Sequence, residues 1–299
     1  MKPSFSIIFF TVSSGYGLGL AAVLAALTPE LPHSAFLPTA VCAMLLTGGG
    51  LLSSVGHLAN PKNAWRAVMR VRTSWLSREA VLAALFFPLM AGWMYYDGTT
   101  AATWRVAIFI CALLTVKCTA MIYQSLKPIT AWHHPLTSIN YMLFSLTGGG
   151  LLFAVFTASN NGNTATASLL TTICALSAGI GKILHYRRIG AAQDIRVGRA
   201  TGFSQAKARL LDAGHTGPTF LTREFIFELP AARLRLWRYV SLPLIVLSSL
   251  AGASFTFNGS AWGGGVCVIL MFLGLLMERW LFFAEARHIV RLYHGKGPA

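Results

Sequence analysis

Residues 5–27 read FSIIFFTVSSGYGLGLAAVLAAL, an unbroken stretch without one charged side chain. A helix rises 1.5 Å per residue, so about 20 predominantly apolar residues cross the hydrocarbon of a bilayer. A signal-peptide core holds only about 7–15 apolar residues, so the stretch reads as a retained first span behind Lys2. The pattern continues outward from it. No charged side chain lies between positions 31 and 61, 128 and 181, or 239 and 277. Eight segments follow, roughly 5–27, 36–58, 79–98, 103–125, 137–158, 165–186, 239–257 and 263–286. The short connections carry turn residues such as Asn160-Asn161-Gly162 and Asn258-Gly259. The expected fold is all-α: an integral membrane protein built as one eight-helix transmembrane bundle over 1–299, with a basic loop at 188–238.

Composition agrees. The 299 residues are 55% hydrophobic and 11% charged, whereas soluble domains carry about 25% charged residues. This excludes a soluble enzyme, a nucleic-acid-binding module and a disulfide scaffold. The net charge of +15 would point to nucleic acid in a soluble protein, but here it sits between hydrophobic segments. With eight spans, 22 of the 24 Lys and Arg fall on the side that holds both termini. Only Arg105 lies on the other side, and Lys117 lies within a span. The positive-inside rule therefore places both termini and the large loops in the cytoplasm. The loop at 188–238 is too short to bury much of a core and reads as a docking surface. All five cysteines lie in apolar runs without a CxxC, as small packing residues. Thr-Gly-Gly-Gly-Leu-Leu occurs at 47–52 and again at 147–152; small residues permit close helix packing in lipid, and a remnant of duplication is the other reading.

Ionisable groups inside a bilayer are functional hypotheses by default. His57 closes the second span, Tyr123 the fourth and His185 the sixth; His133 and His134 follow the fourth, and Glu79 opens the third. All lie at the cytoplasmic end. No histidine occupies the middle third of a span, where axial haem ligation would need a facing pair. His57 lies two turns beyond Gly50 and either meets a flat ligand or snorkels to water. Glu79 follows Ser77, a plausible N-cap, and is favoured there by the helix dipole or exchanges protons at the membrane surface. Lys117 and Glu278 lie at matched depth, about two turns inside the boundary; an ion pair is the economical reading and a proton path the alternative. Trp65, Arg66, Val68, Met69 and Arg70, with Arg72 beyond them, suggest an amphipathic segment that contacts lipid or docks a partner.

Several strings resemble a known family. Ser53-Ser54-Val55-Gly56-His57-Leu58 runs into Asn60-Pro61-Lys62-Asn63-Ala64-Trp65-Arg66-Ala67, followed by Ser74-Trp75-Leu76-Ser77-Arg78-Glu79. These, with Met121-Ile122-Tyr123-Gln124-Ser125-Leu126-Lys127-Pro128, Trp132-His133-His134-Pro135 and Glu278-Arg279-Trp280-Leu281-Phe282-Phe283-Ala284-Glu285-Ala286, resemble the membrane-anchor subunit of the dimethyl sulfoxide reductase family. The resemblance covers essentially the whole sequence. It implies a bacterial inner-membrane anchor without haem or metal of its own, joined to an iron–sulfur subunit and a molybdopterin subunit. Such an anchor exchanges electrons with menaquinone or ubiquinone. His57 and Glu79 match the family's quinol-site histidine and acidic residue, and Tyr123 and His134 join them by location. The motif loops here lie on the cytoplasmic side, and the sequence carries the basic 188–238 insertion. Both features look more like the anchor of cytoplasmic sulfite:quinone oxidoreductases, with electrons flowing from sulfite into quinone. The alternatives are the anchor of an S- or N-oxide reductase oxidising menaquinol in anaerobic respiration, or a secondary transporter with Lys117 and Glu278 lining its path.

Overall fold

The computed structural model describes residues 2–56, 61–96, 102–192, 227 and 229–294. It is built of eight long helices: α1 Phe5–Leu27, α2 His33–Val55, α3 Trp75–Tyr95, α4 Ala102–Gln124, α5 Pro135–Ser159, α6 Ala165–Ala192, α7 Ala231–Phe257 and α8 Ala261–Ala284. All eight are long and apolar enough to cross a membrane, and the described residues include no strand. Successive helices run in alternating directions, so the start of α1 and the end of α8 lie at one face of the bundle, called here the termini end. Leu45, Leu52, Ile180, Leu247 and Ile269 are among the large apolar side chains left exposed on the bundle's flank, as a lipid-facing surface requires.

The first helix becomes the centre. α1 is the most buried span and packs against α2, α4, α5 and α8. The two Thr-Gly-Gly-Gly runs explain how. Gly50 of α2 faces Phe10 and Ser14, and a Cβ there would stand 2.7 Å from the Ser14 nitrogen. On another side of α1, a Cβ on Gly149 of α5 would overlap the backbone of Gly19 and Leu20. Where the backbones approach this closely only glycine fits, and dispersion contacts replace the missing hydrophobic drive between helices in lipid. At the far end Arg105 Nε and Nη2 donate to the carbonyls of Ala25 and Ala26, at 2.8 and 3.0 Å. The one cation expected on that side thus caps the negative C-terminal end of α1.

The helices overrun the expected boundaries. α6 continues to Ala192 and α7 starts at Ala231, so both ends of the 188–238 loop are helical. Arginine has high helix propensity, and Arg187, Arg188, Arg233 and Arg235 extend the helices beyond the apolar run. The rest of that loop, 193–226 and 228, lies outside the described residues. His33, expected in a loop, begins α2. α3 begins at Trp75, because Ser74 rather than Ser77 is its N-cap: the Ser74 hydroxyl accepts from the Ser77 N–H at 3.4 Å. The amphipathic segment forms a 3-10 helix over Pro61–Arg70 that exposes Trp65, Arg66, Met69 and Arg70, with Arg72 exposed in the following turn. Arg78 ties that turn to α3 by donating to the carbonyls of Val71 and Arg72, at 2.8 and 2.7 Å.

Candidate functional site

The Ser74 cap fixes where Glu79 goes. Counted from Trp75, Glu79 is the fifth residue of α3 and not the second, so it has left the first turn and faces the bundle. The helix-dipole reading fails for that reason, since the effect fades beyond the first turn. The side chain is 4% exposed. Its Oε1 accepts from the Thr119 hydroxyl of α4, which is also 3.1 Å from the Thr115 carbonyl. Among the described residues no other group hydrogen-bonds this carboxyl and no cation pairs with it. Cys118 and Tyr123 of α4 and Tyr141 of α5 lie within electrostatic reach.

Tyr123 enters the same neighbourhood from the last turn of α4. Its ring is packed edge-on against Trp132, Phe282 and Phe283, with centroids 5.2–5.5 Å away, and stacks 5.9 Å from Tyr141. Trp132 lies parallel to Phe282 at 5.1 Å and donates its indole N–H to the Phe282 carbonyl at 2.9 Å. The 125–134 connection is therefore held down on α8. His134 is its last residue and the N-cap of α5, with Nδ1 accepting from the Leu136 N–H at 3.2 Å. Partial burial and the nearby Arg188 charge hold the His134 ring below the usual imidazole range, which keeps it neutral and fit to accept. His133 Nδ1 lies 2.7 Å from the Gln124 carbonyl, and His185 Nε2 is 2.8 Å from that of Ala131. Glu79 and Tyr123 are thus brought together, and His134 joins them only through Trp132. His57 lies outside the described residues. Arg66, Arg70 and Arg72 form an exposed ledge at the same face.

The expected partnership of Lys117 with Glu278 is corrected. Glu278 is fully buried and its carboxylate is shared between Lys182 of α6 and Arg279, whose Nε sits 2.5 Å from Oε2. Lys182, counted above among the loop cations, is 2% exposed. The guanidinium of Arg279 lies 4.0 Å above the Tyr141 ring, and the Lys182 ammonium 4.9 Å above that of Tyr186. Cation–π contacts of this kind help offset desolvation. Lys117 is half-buried on α4 and takes no part in this cluster. One step toward the surface, Glu285 pairs with Arg238 of α7 at 2.6 Å. Nothing in the sequence pattern singled out Thr119, Lys182 or Arg279; the one available signal was that Thr119 stands at the depth of Glu79 on the next helix.

Behind Thr119 is a cavity of about 30 Å³ between α1, α4, α5 and α8. Tyr16, Tyr141, Ser145 and Arg279 line it together with Thr119. The described residues contain no group of three or more His, Cys, Asp or Glu arranged to hold a metal ion.

Comparison with known proteins adds the following. Residues 1–284 match the family model described as DMSO reductase anchor subunit (DmsC). A subunit of the sulfite dehydrogenase of Allochromatium vinosum is 32% identical across 98% of this protein and 99% of its own length. A subunit of the anaerobic dimethyl sulfoxide reductase of Escherichia coli is 25% identical over 36% of this protein and 40% of its own length, and its counterpart in Haemophilus influenzae 27% over the same shares. No solved structure matches.

Proposed function

This chain belongs to the DMSO reductase anchor subunit family, and on that premise we propose that it holds an iron–sulfur subunit and a molybdopterin subunit at the cytoplasmic membrane face and serves as their quinone site. The observation that carries the reading is Glu79, a carboxyl buried at the termini end with a hydroxyl as partner and no cation among the described residues. Such a group exchanges a proton rather than anchoring a charge. The residues fit a quinone: a protonatable carboxyl stands near the flat ring of Tyr123, which packs on Trp132 and Phe282. The 30 Å³ cavity admits water but no six-membered ring, so the proposed ring position is on the bilayer side of Glu79. When bound, quinone supplies a two-electron, two-proton couple. Glu79 and His57 hold and release the protons, a histidine doing so near neutral pH. The aromatic cluster keeps water away from the ring position, and the neutral His134 caps α5 and holds the 125–134 connection in place.

Sulfite oxidation coupled to quinone reduction is the favoured direction. Support comes from the extent of similarity: the sulfite dehydrogenase subunit matches across nearly the whole sequence, and the dimethyl sulfoxide reductase subunits across about a third to a half. The exposed arginines 66, 70 and 72 are the proposed docking ledge for the iron–sulfur subunit. Both termini on the cytoplasmic side follow from the distribution of Lys and Arg. The test is purification of the intact complex in mild detergent, with molybdenum and iron analysis and a sulfite-driven absorbance change of a short-chain ubiquinone. Molybdenum and iron with two larger soluble polypeptides, and a quinone signal lost in Glu79→Gln and His57→Ala, is the expected result. A protein that elutes alone and metal-free overturns the anchor reading, and normal quinone turnover in Glu79→Gln overturns the site.

A further inference from the structure

We propose that Thr119 is the proton relay of this site, passing protons between Glu79 and water held in the cavity lined by Tyr16, Tyr141, Ser145 and Arg279; this rests on the reading of Glu79 as the proton-exchanging group. Several buried helical threonines elsewhere in the protein spend their one proton on the carbonyl four residues back, as Thr39 does on Ala35, Thr157 on Phe153 and Thr171 on Ala167. Thr119 reaches two acceptors, the Thr115 carbonyl and Glu79 Oε1, with a single proton. When Glu79 is ionised, the hydroxyl donates to the carboxylate. When Glu79 is protonated, the carboxyl O–H donates to Thr119 Oγ1 and the hydroxyl turns to Thr115 or to the cavity. Both states are hydrogen-bonded without movement of a heavy atom.

The cavity supplies the other side of the relay. The Tyr16 hydroxyl and Arg279 Nη1 are buried and make no hydrogen bond to the described residues. Buried groups left unpaired in this way are costly, and a water that bonds them removes the cost. Buried water needs two to four polar partners and on the order of 10–15 Å³ per molecule. Thr119, Tyr16, Arg279 and the lone pairs of Ser145, whose hydroxyl donates to the Gly15 carbonyl at 2.5 Å, meet the first condition. A volume of about 30 Å³ meets the second for about two waters. In one transfer the Glu79 proton moves to Thr119 Oγ1 as the hydroxyl's own proton passes to a cavity water, and Thr119 ends neutral. Uptake by Glu79 is the reverse. The groups facing Glu79 are Cys118, Thr119 and Tyr123 of α4 and Tyr141 of α5; Arg78, next to it on α3, turns its guanidinium to the carbonyls of Val71 and Arg72. Electrons and protons therefore reach the site from different directions: the carrier ring from the lipid flank, the protons from inside the bundle.

The experiment compares Thr119→Val, which keeps the shape without the hydroxyl, with Thr119→Ser and Glu79→Gln in the purified complex. Sulfite-driven reduction of a short-chain ubiquinone is followed as a function of pH in H₂O and D₂O. Thr119→Val is expected to assemble with normal metal content, to slow about tenfold or more and to show a larger solvent isotope effect; Thr119→Ser restores both. Infrared difference spectra give a readout independent of turnover. The carboxyl stretch lost in Glu79→Gln moves to higher wavenumber in Thr119→Val and returns in Thr119→Ser. If Thr119→Val matches the wild type in rate, isotope effect and carboxyl stretch while Glu79→Gln is inactive, the relay is wrong and the Glu79 site stands. If Glu79→Gln turns over normally, the site itself fails and the relay with it. Should Thr119→Val not assemble, Tyr16→Phe tests the water side alone, with the same slowing expected and an unchanged rate overturning the relay.

Discussion

Among the carboxylates buried at the termini end of the bundle, Glu278 and Glu79 differ most in their surroundings. Glu278 is shared between Lys182 and Arg279, and both cations rest on aromatic rings. Glu79 has a threonine hydroxyl and, among the described residues, no cation. A saturated charge locks helices together and cannot change protonation state without breaking its own ion pairs. A carboxyl held by one hydroxyl has no such hold on its proton. The contrast separates a residue that fastens α6 to α8 from one that takes part in chemistry, although both are acidic, buried and at similar depth.

The comparison breaks first at Glu278. Replacing it by alanine leaves two buried cations unpaired, and breaking a buried pair in this way costs about 3–5 kcal/mol. The complex is expected not to accumulate in membranes, which immunoblotting of the anchor and its partners measures; normal accumulation removes the fastening role. Glu79→Gln sharpens the other side. It keeps size and hydrogen-bonding capacity, so accumulation stays normal while quinone turnover falls about a hundredfold or more, the range of a lost general acid–base. Between these, Gly149→Val sets a packing reference, since overfilling the α1–α5 contact costs typically about 1–3 kcal/mol and lowers the melting temperature of the detergent-solubilised complex with little change in rate per assembled complex. The smallest effect belongs to the far end. Arg105→Ala removes a cap worth about 0.3–1 kcal/mol, and a shift in melting temperature as large as that of Gly149→Val would mean that Arg105 does more than cap α1.

The eight spans were legible because lipid demands long apolar runs and little else. The boundaries were less so, since helix propensity carries arginines past the membrane edge: α7 begins at Ala231, not 239. Choosing Ser77 over Ser74 as the cap displaced Glu79 by nearly a turn, and with it the explanation for its charge. Matched depth alone paired Lys117 with Glu278, whereas the structure gives Glu278 to Lys182. Which lysine meets it depends on which helices are neighbours, and eight apolar stretches of similar composition do not encode their adjacency in any local pattern. Both Thr-Gly-Gly-Gly runs were visible as packing faces, but not that one helix would take up both.

That shared helix has a consequence for how the protein is made. Of the eight helices α1 is made before the others, yet Gly19 and Tyr16 reach their resting contacts with Ser145 and Gly148 only after more than a hundred further residues have been synthesised. Until α5 inserts, the serines, tyrosine and glycines along α1 must face lipid or the insertion machinery. The α1–α2 pair, closed by Gly17 and Gly50, forms early, and the remaining faces of α1 stay uncovered until late in translation. A polypeptide stalled after α4 would thus expose, within the bilayer, a small-residue face of the kind through which helices associate, and the last helices complete a core that α1 began.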